Sequence, residues 1–347
     1  MNSFDLYYNF RLATVDDVDA IQQFFKDGWG RYNVVASDRD FLLWMYGRQE
    51  YGDNQNVNFV IMETKMGEIA GCIGYVPYSN DKQNLQISPA MTLIKSSGMR
   101  PLSGIELMKR QMQIVGEKAH FSFGTNPDTI KPIYEKVFHH ETGVIQQFYM
   151  LNPDIDEYKI ADIKDRIIHK PVKSDLMLTE LYDFKEIELW IGENKRIDRL
   201  PYKSTEYIKK RYFNHPVYSY RKWVVNGKSG EQKGILFGRV NELFGRRILR
   251  IVDYRGDVDS IRYLGEPLLL IMKRENFEYI DWIAITLSKE LMKEAGFELL
   301  KYEGENIIPN YFEPYVRKNI KLYYQKDKDI IIFKADGDQD RPNRIEK

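Results

Sequence analysis

The sequence contains little cysteine, no net charge and no long apolar run. Cys72 is the single cysteine among 347 residues, which excludes an intramolecular disulfide and any zinc site built from cysteines alone. Its place in the apolar run 69–76 predicts a buried core thiol rather than a nucleophile. The 51 basic and 51 acidic residues cancel, so no overall field favours nucleic acid or an anionic membrane as a partner. No apolar run approaches the roughly 20 residues of a membrane span, so we expect no membrane-spanning segment.

The composition instead predicts a folded protein with sizeable cores. Hydrophobic residues make up 43% of the chain and aromatic residues 14%, which argues against disorder. A length of 347 residues suggests about two domains. The first residues lack a basic segment followed by an apolar one, so no secretory signal is expected there. Because one thiol also suits a reducing compartment, we expect a cytoplasmic protein.

The first half of the sequence predicts strands and helices in alternation. Apolar residues recur at helical spacing in some segments and alternate in others, with caps or turn residues between them. The predicted elements are, in order, a strand at 10–13, helices at 16–26 and 38–46, a hairpin of 57–63 and 68–76, a strand at 89–94, a helix at 104–115, a strand at 119–124, a helix at 127–137 and a strand at 146–151.

The segment that follows the predicted strand 119–124 carries the most informative pattern. It reads Asn126-Pro-Asp-Thr-Ile-Lys-Pro-Ile-Tyr134-Glu-Lys-Val-Phe138, with Tyr134 about two helical turns after Asn126. This spacing and the element order around it resemble the GNAT N-acyltransferase superfamily over most of residues 8–152. The resemblance implies that Asn126 holds acetyl-CoA near the splayed end of the sheet. It also implies that the Tyr134 hydroxyl is catalytic and protonates the departing coenzyme A sulfur.

Tyr134 has a second interpretation. On a helix it continues an apolar stripe with Ile130, Ile133 and Val137, so a plain core role stays open. A phenol has a reference pKa near 10 and a thiol near 8.5, so a positioned hydroxyl can donate a proton to a forming thiolate. General-acid help of this kind is typically worth about two to four decades in rate.

GNAT domains bind the cofactor pyrophosphate at a loop between the fourth strand and the next helix. Here that segment contains Arg100, Ser103, Gly104 and Ile105, a degenerate form of the family pattern Arg/Gln-x-x-Gly-x-Gly/Ala. Glycine lets a backbone approach phosphate, and a helix start offers N–H groups and partial positive charge. The resemblance therefore implies acyl-CoA binding at these four residues. Ser103-x-x-Glu106 also fits a capping box, which would make the segment an ordinary capped helix.

The second half repeats this order of elements in weaker form. It predicts a helix at 203–213, strands at 220–225, 234–239 and 247–254, a helix at 265–274, a strand at 279–285 and a helix at 289–295. We therefore expect an α/β fold of two tandem GNAT-like domains, each a twisted mixed sheet flanked by helices. The boundaries would be 1–152 for an acyl-CoA-binding domain, 153–183 for a connector and 184–347 for a degenerate second domain with a C-terminal extension. One large domain with a decorated sheet is the alternative.

The sequence leaves the acceptor side of the chemistry open. An acceptor amine must lose a proton, and residues 88–95 offer no clean base for it. His120, His139, His140 and Asp253 are candidates, since a histidine changes charge near neutral pH. In the second half, the counterpart of the phosphate loop, 252–259, is rich in acid and would repel a pyrophosphate. That half is expected to bind the acceptor, or only to pack.

The C-terminal region adds polar candidates for substrate binding. Asn310, Tyr311 and Glu313 lie in a loop bounded by two prolines, and polar groups on rigid loops often line sites. They are suited to bind sugar hydroxyls. A purely structural role, with hydrogen bonds inside the loop, is an equally open alternative. The later run of Asp336, Asp338 and Asp340 lacks the glycine and the distal Glu of a calcium loop, so no metal is expected. Its carboxylates are predicted to accept bonds from the backbone or arginine, or to lie in a disordered end.

Together these features predict an enzyme, an acyl-CoA-dependent N-acyltransferase that moves an acetyl or related group to an amine. The tandem halves and the C-terminal region also resemble a bacterial group of GNAT-type proteins associated with surface-polysaccharide biosynthesis. That resemblance implies an acceptor on an amino sugar, a nucleotide sugar or a polysaccharide precursor. One alternative is a Fem-type aminoacyl transferase, which the balanced charge disfavours because such an enzyme needs a basic groove for tRNA. The other is a non-catalytic sugar-binding or assembly protein.

Overall fold

Two α/β units make up the computed structural model, which describes residues 3–30, 33–193 and 201–342. Within these ranges the first unit holds the N-terminal part as far as residue 142, together with 325–328 and 337–342. The second unit holds the remainder, including 329–336. Each unit combines a mixed sheet with helices, which confirms the predicted α/β class.

The first sheet alternates with helices in the predicted order. Its strands are β1 (Tyr8–Thr14), β2 (Gly47–Arg48), β3 (Asp53–Thr64), β4 (Ile69–Pro77), β5 (Gln86–Ile94), β6 (Ala119–Phe123), β7 (Glu141–Val144) and β17 (Tyr323–Lys326). The helices of this unit are α1 (Val18–Trp29), α2 (Val34–Ser37), α3 (Arg39–Tyr46), α4 (Ser103–Val115) and α5 (Lys131–Ile133). The described strands follow the order β1-β3-β4-β5-β6-β17-β7, with β2 beside β3.

The second sheet repeats this alternation. Its strands are β8 (Gln146–Leu151), β9 (Met177–Glu180), β10 (Arg221–Asn226), β11 (Gln232–Leu243), β12 (Arg246–Gly256), β13 (Phe277–Ile285), β14 (Glu298–Leu299) and β18 (Ile332–Phe333). Helices α6 (Lys185–Glu193), α7 (Thr205–Ile208), α8 (Gly265–Glu275) and α9 (Lys289–Glu294) accompany them, and β15 (Tyr311–Phe312) pairs with β16 (Tyr315–Val316). The order among described strands is β14-β8-β13-β12-β11-β10-β9, with β18 beside β13.

The first sheet has helices on both faces. On one face, Leu107 of α4 joins a buried cluster with Met62 of β3 and with Tyr134. On the other, Phe25 of α1 and Tyr46 of α3 both contact Phe59, with ring centroids 5.9 and 4.6 Å apart. Neighbouring residues on a strand point to opposite faces, so β3 contributes to both layers. Burying each such side chain stabilises the fold by about 1.5–3 kcal/mol.

The predicted core thiol is confirmed. Cys72 lies on β4 with 0% of its surface exposed. Burial raises the pKa of this thiol, which keeps it protonated and unreactive. Among the residues that the structure describes, no helix has both the length and the apolar character needed to cross a membrane.

Two sequence-based expectations differ from the structure. The strand Gln146–Leu151, expected to complete the first domain, pairs antiparallel with β13 in the second sheet. The helix expected at 127–137 begins only at Lys131 and passes into a π-helical turn at Tyr134–Phe138. The helix begins late because Asn126 Oδ1 accepts hydrogen bonds from the backbone N–H groups of residues 128 and 129 and forms a turn there.

The predicted connector 153–183 is packed rather than free. Ile160 and Ala161 are both 0% exposed. The buried Glu278 carboxylate of β13 accepts the backbone N–H groups of Lys159, Ile160 and Ala161 at 2.8–2.9 Å. A carboxylate that satisfies three N–H groups removes their desolvation cost and fixes the path of the segment.

A buried ion pair ties the second sheet to the loop at 309–310. Arg250 of β12 and Asp281 of β13 are 1% and 0% exposed at their side chains, with Nη2 and Oδ2 2.6 Å apart. The same guanidinium donates to the carbonyl oxygens of Pro309 and Asn310, both at 2.9 Å. Removing one partner of such a pair leaves an uncompensated charge in the core.

We therefore expect Arg250→Met to destabilise the second unit by about 3–5 kcal/mol, because Asp281 would stay buried without its cation. Urea denaturation measures this loss. The matched control is Arg274→Met, whose guanidinium is 68% exposed and lies 3.1 Å from Glu275. An exposed pair is worth at most about 1 kcal/mol, so this control should stay close to the parent. Equal losses in the two variants would contradict the assignment.

Candidate functional site

Strands β5 and β6 pair only at their starts. These parallel strands are joined at Gln86 with Ala119 and at Ile87 with His120, and the described pairing stops there. The later backbone groups of β5 on this side therefore have no partner from β6, and a ligand can use them. Met91 has a φ of +50°, at a register shift between β4 and β5 that marks a bulge. Bulges of this kind are over-represented next to active sites.

Three polar side chains meet at the closed end of this gap. The Tyr134 hydroxyl lies 3.2 Å from His120 Nε2, and His120 Nδ1 lies 3.1 Å from Glu117 Oε1. The His120 and Glu117 side chains are 3% and 4% exposed. With Nδ1 of His120 directed at the Glu117 carboxylate, Nε2 faces the phenol. The arrangement is a carboxylate–imidazole–phenol relay.

His140 completes the surroundings of the Tyr134 ring. The two rings stack with centroids 5.3 Å apart, and His140 Nδ1 lies 2.6 Å from Gln325 Oε1. Burial lowers the pKa of His140, and burial together with Glu117 raises the pKa of Tyr134. His139, another candidate from the sequence, is a turn residue with a φ of +58°.

The structure brings Tyr134, His120 and His140 together, which makes the histidines neighbours of the proposed leaving-group acid. Sequence reasoning missed Glu117. Its only signal is a carboxylate three residues before a histidine, and this spacing is common on protein surfaces.

The start of α4 departs from the predicted capping box. Leu102, with a φ of +68°, precedes the helix, and Ser103 is its first residue. The Ser103 hydroxyl donates to the Arg100 carbonyl at 2.7 Å, and Glu106 instead accepts a bond from Arg110. The capping box is therefore wrong, because the serine lies one position too far along the chain to cap N–H groups of the helix with its side chain.

The same helix start suits a phosphate. The Arg100 guanidinium lies over the ring of Tyr7, 4.2 Å from its centroid, and forms no ion pair with a carboxylate within the described ranges. A Cβ added at Gly104 would meet nothing closer than Ile94 Cδ1 at 3.5 Å, so the backbone there is open to approach. Helix starts leave N–H groups without intrahelical acceptors, and Gly104 and Ile105 occupy such positions, whereas Ser103 N–H donates to the Arg100 carbonyl at 3.2 Å.

Strand β18 occupies the equivalent gap in the second unit. The parallel strands β12 and β13 pair as far as Ile251 and Trp282. Beyond that point, Ile332 and Phe333 of β18 pair with Ile285 and Ala284, and Ala335 N–H donates to the Val252 carbonyl. The chain's own backbone thus takes up the groups that a ligand would need there.

Asp253 lies in a buried charge cluster of the second unit. Lys203 Nζ is 2.6 Å from Asp253 Oδ1 and 2.8 Å from Asp336 Oδ1, and the Tyr212 hydroxyl donates to Asp253 Oδ2 at 2.5 Å. The side chains of Lys203 and the two acids are 0–7% exposed. Asp253 is thus engaged in holding the fold, with its oxygens used by Lys203, Tyr212 and its own neighbour's N–H.

The proline-bounded loop places its three candidates in different surroundings. Asn310 is 3% exposed, and its Nδ2 donates to the Ile320 carbonyl at 2.7 Å, as a structural corner residue would. Tyr311 and Glu313 are half-buried. Glu313 accepts from the Tyr218 hydroxyl and lies 3.3 Å from Arg239 Nη1. Across the described ranges, no three His, Cys, Asp or Glu side chains converge as metal ligands.

Known structures share this fold. A protein of unknown function from Enterococcus faecalis V583, described as a probable N-acyltransferase, aligns with a TM-score of 0.54 and 10% identity over 91% of this chain and 71% of that one. A GCN5-related N-acetyltransferase from Anabaena variabilis ATCC 29413 aligns with a TM-score of 0.55 and 11% identity, over 92% and 72%. No protein-family model and no curated sequence matches this chain. The likeness shows a GNAT fold in tandem α/β domains.

The Lys203 cluster predicts a pH-dependent stability. Burial raises the pKa of Asp336 to about 6 from 3.8, since one lysine faces two acids. The contribution of Asp336 to the free energy of unfolding is therefore largest below the pKa of this group in the unfolded chain. It is lost as pH rises through about 6. Asp336→Asn keeps an acceptor for the Phe333 N–H. Relative to the parent, the free energy of unfolding of this variant should increase by about 1–3 kcal/mol as the pH rises from 4 to 7.5. Calorimetric unfolding measures this difference.

Asp175→Asn is the control for this pH series, because that carboxylate is 76% exposed and only 3.9 Å from Lys228. Its stability relative to the parent should not change with pH beyond a few tenths of a kcal/mol. A relative stability of Asp336→Asn that falls as pH rises would contradict the sign of the shift.

Proposed function

We propose that the first unit is an N-acyltransferase that moves an acetyl or related acyl group from acyl-CoA to an amine. The observation that carries this proposal is the gap between β5 and β6 with the Tyr134 hydroxyl at its closed end. Acyl transfer from a thioester needs backbone N–H groups near the carbonyl and an acid near the sulfur. The N-acetyltransferase fold of the neighbours supports the same reaction class.

The donor would lie on the α4 face of the first unit. Arg100 and the N–H groups of Gly104 and Ile105 would hold its pyrophosphate, because a helix start favours an anion and so does a guanidinium that has no carboxylate partner in the described ranges. Asn126 uses Oδ1 in its own turn and would offer Nδ2 to the donor. Tyr134 belongs to the same buried cluster as Leu107 of α4. The pyrophosphate and the thioester of the donor would therefore both lie on the α4 face of the sheet.

The transfer would be a direct displacement. The lone pair of the amine nitrogen forms the new C–N bond at the thioester carbonyl carbon, and the C–S bond breaks with its electron pair on sulfur. The nitrogen gives its surplus proton to solvent as the amide forms. Tyr134 would give its proton to that sulfur. Burial raises the pKa of Tyr134, so a phenolate there is costly. The Tyr134 oxygen would regain a proton from solvent by way of His120, whose Nε2 lies 3.2 Å from it and whose Nδ1 lies 3.1 Å from Glu117.

The second unit would not bind a second donor. In that unit β18 occupies the gap between β12 and β13. The acidic segment 252–259, the counterpart of the phosphate loop, would repel a phosphate. Of the predicted substrate contacts, the half-buried Tyr311 and Glu313 suit a polar ligand best, whereas Asp253 and Asn310 hold the fold. We propose two domains derived from one repeated unit and a cytoplasmic location, with an acceptor on an amino sugar, nucleotide sugar or polysaccharide precursor. A panel of amino sugars with acetyl-CoA, read by mass spectrometry, tests that acceptor class.

Gly104→Asp should weaken coenzyme A binding by at least about tenfold, or 1.4 kcal/mol, because it places a negative charge where the phosphates would lie. Isothermal titration calorimetry with coenzyme A measures the dissociation constant. Gly104→Asn has nearly the same shape without the charge, and the open space at this Cβ admits both side chains. Asn should therefore bind almost as the parent does. A parent that shows no binding at millimolar ligand would remove the proposed function.

Tyr134→Phe should lower turnover of acetyl-CoA about tenfold or more, because the ring stays in place and only the proton donor is lost. Losing the bond to His120 should cost the fold about 0.5–1.5 kcal/mol. The control is Tyr302→Phe, which removes a hydroxyl that donates to the Ile145 carbonyl at 2.8 Å. This control should lose similar stability and keep its turnover. Unchanged turnover with Phe at position 134 would return that residue to a core role.

A further inference from the structure

The C-terminal segment Gly337–Arg341 returns to the first unit and contacts both strands of the open gap. A Cβ at Gly337 would lie 2.5 Å from Ser88 Oγ, so the segment's backbone abuts β5 just after its last pairing with β6. At the end of β6, a Cβ at Gly124 would lie 2.7 Å from Gln339 Nε2. The segment thus spans the gap rather than lying on a remote surface.

Asp338 is the carboxylate of this segment whose surroundings are best defined. It is 6% exposed. The Tyr46 hydroxyl donates to its Oδ2 at 3.3 Å, and Arg341 forms an ion pair with the same oxygen. Arg341 Nη1 also lies 3.6 Å from Met91 Sδ, at the bulge of β5. These contacts hold the carboxylate beside the gap.

This carboxylate lies on the face of the sheet opposite α4. Its partner Tyr46 packs with Phe59 in the layer of α1 and α3, whereas Tyr134 packs with Leu107 of α4. A donor on the α4 face would present its carbonyl at the gap, so the acceptor must approach from the α1 and α3 side. The segment therefore lies where the acceptor would enter.

Neither β5 nor the two histidines around Tyr134 place a base on the acceptor side. Strand β5 carries no acidic or histidine side chain along its length. His120 and His140 surround the Tyr134 hydroxyl on the leaving-group side. The sequence left the base unassigned because residues more than 200 positions away complete this gap.

We propose that Gly337–Arg341 forms the acceptor side of the acyl-transfer site and that Asp338 takes the proton from the acceptor amine. This inference rests on the proposed function of the first unit. The ammonium proton passes to the Asp338 carboxylate, and the freed lone pair attacks the thioester carbonyl carbon. As the amide forms, the nitrogen gives its second proton to solvent, and the C–S electron pair leaves on sulfur, which Tyr134 protonates. Tyr46 and Arg341 are positioning residues that hold the carboxylate.

The test compares the parent with Asp338→Asn and with a chain that stops after Asp336. Asp336 and its bonds to Lys203 and to Phe333 N–H stay in the shortened chain. Thiol release from acetyl-CoA is measured with and without glucosamine, because an amine or water can serve as acceptor. We expect Asp338→Asn to lower the rate of thiol release about 100-fold. Its dissociation constant for coenzyme A should stay within about threefold of the parental value. Asp16→Asn, an exposed carboxylate of the same unit, should match the parent.

Hydrogen exchange supplies a readout that needs no acceptor. Acetyl-CoA should slow exchange in the peptide that covers 337–342, both in the parent and in Asp338→Asn, which shows that the substitution leaves the segment in place. The inference is overturned if that peptide is not protected, if Asp338→Asn releases thiol at the parental rate, or if the shortened chain is faster because the segment merely blocks the gap. A parent that binds no coenzyme A fails the proposed function instead, and the inference with it.

Discussion

The early end of pairing between β5 and β6 is the constraint on which the account of this chain depends. Two parallel strands that separate after Ile87 and His120 leave backbone groups without a partner, and such groups must find one. In the proposed reaction, the thioester would bind at this separation, and Tyr134 and His120 lie at its closed end. The bulge at Met91 makes the same opening by turning β5 locally.

The two units treat the equivalent opening differently. In the second unit, β18 pairs with β13, and Ala335 N–H bonds to β12, so the sheet is completed by its own chain. The buried cluster of Lys203, Asp253 and Asp336 lies next along the chain and anchors that strand. In the first unit, the segment Gly337–Arg341 meets the gap with side chains and loop backbone and forms no strand there. This difference explains why one unit carries the proposed reaction and the other does not.

Much of the fold could be predicted from local sequence. Apolar periodicity placed α4 and β6 to within a residue. Ser103 shows the limit of such reasoning, since a capping box depends on a one-residue register that only φ angles decide. The surroundings of Tyr134 could not be predicted, because His120 and His140 reach it, and Glu117 reaches His120, only after the sheet has formed. The same holds for Asp338, which lies 292 residues from its partner Tyr46.

A crystal structure of the protein with coenzyme A tests the central claim most directly. We predict the pantetheine arm between β5 and β6, its sulfur near the Tyr134 hydroxyl, and its pyrophosphate against Arg100 and the N–H groups of Gly104 and Ile105. Coenzyme A bound in the second unit, or on the surface away from this gap, would contradict the account. So would crystals that hold no ligand after exposure to it at millimolar concentration.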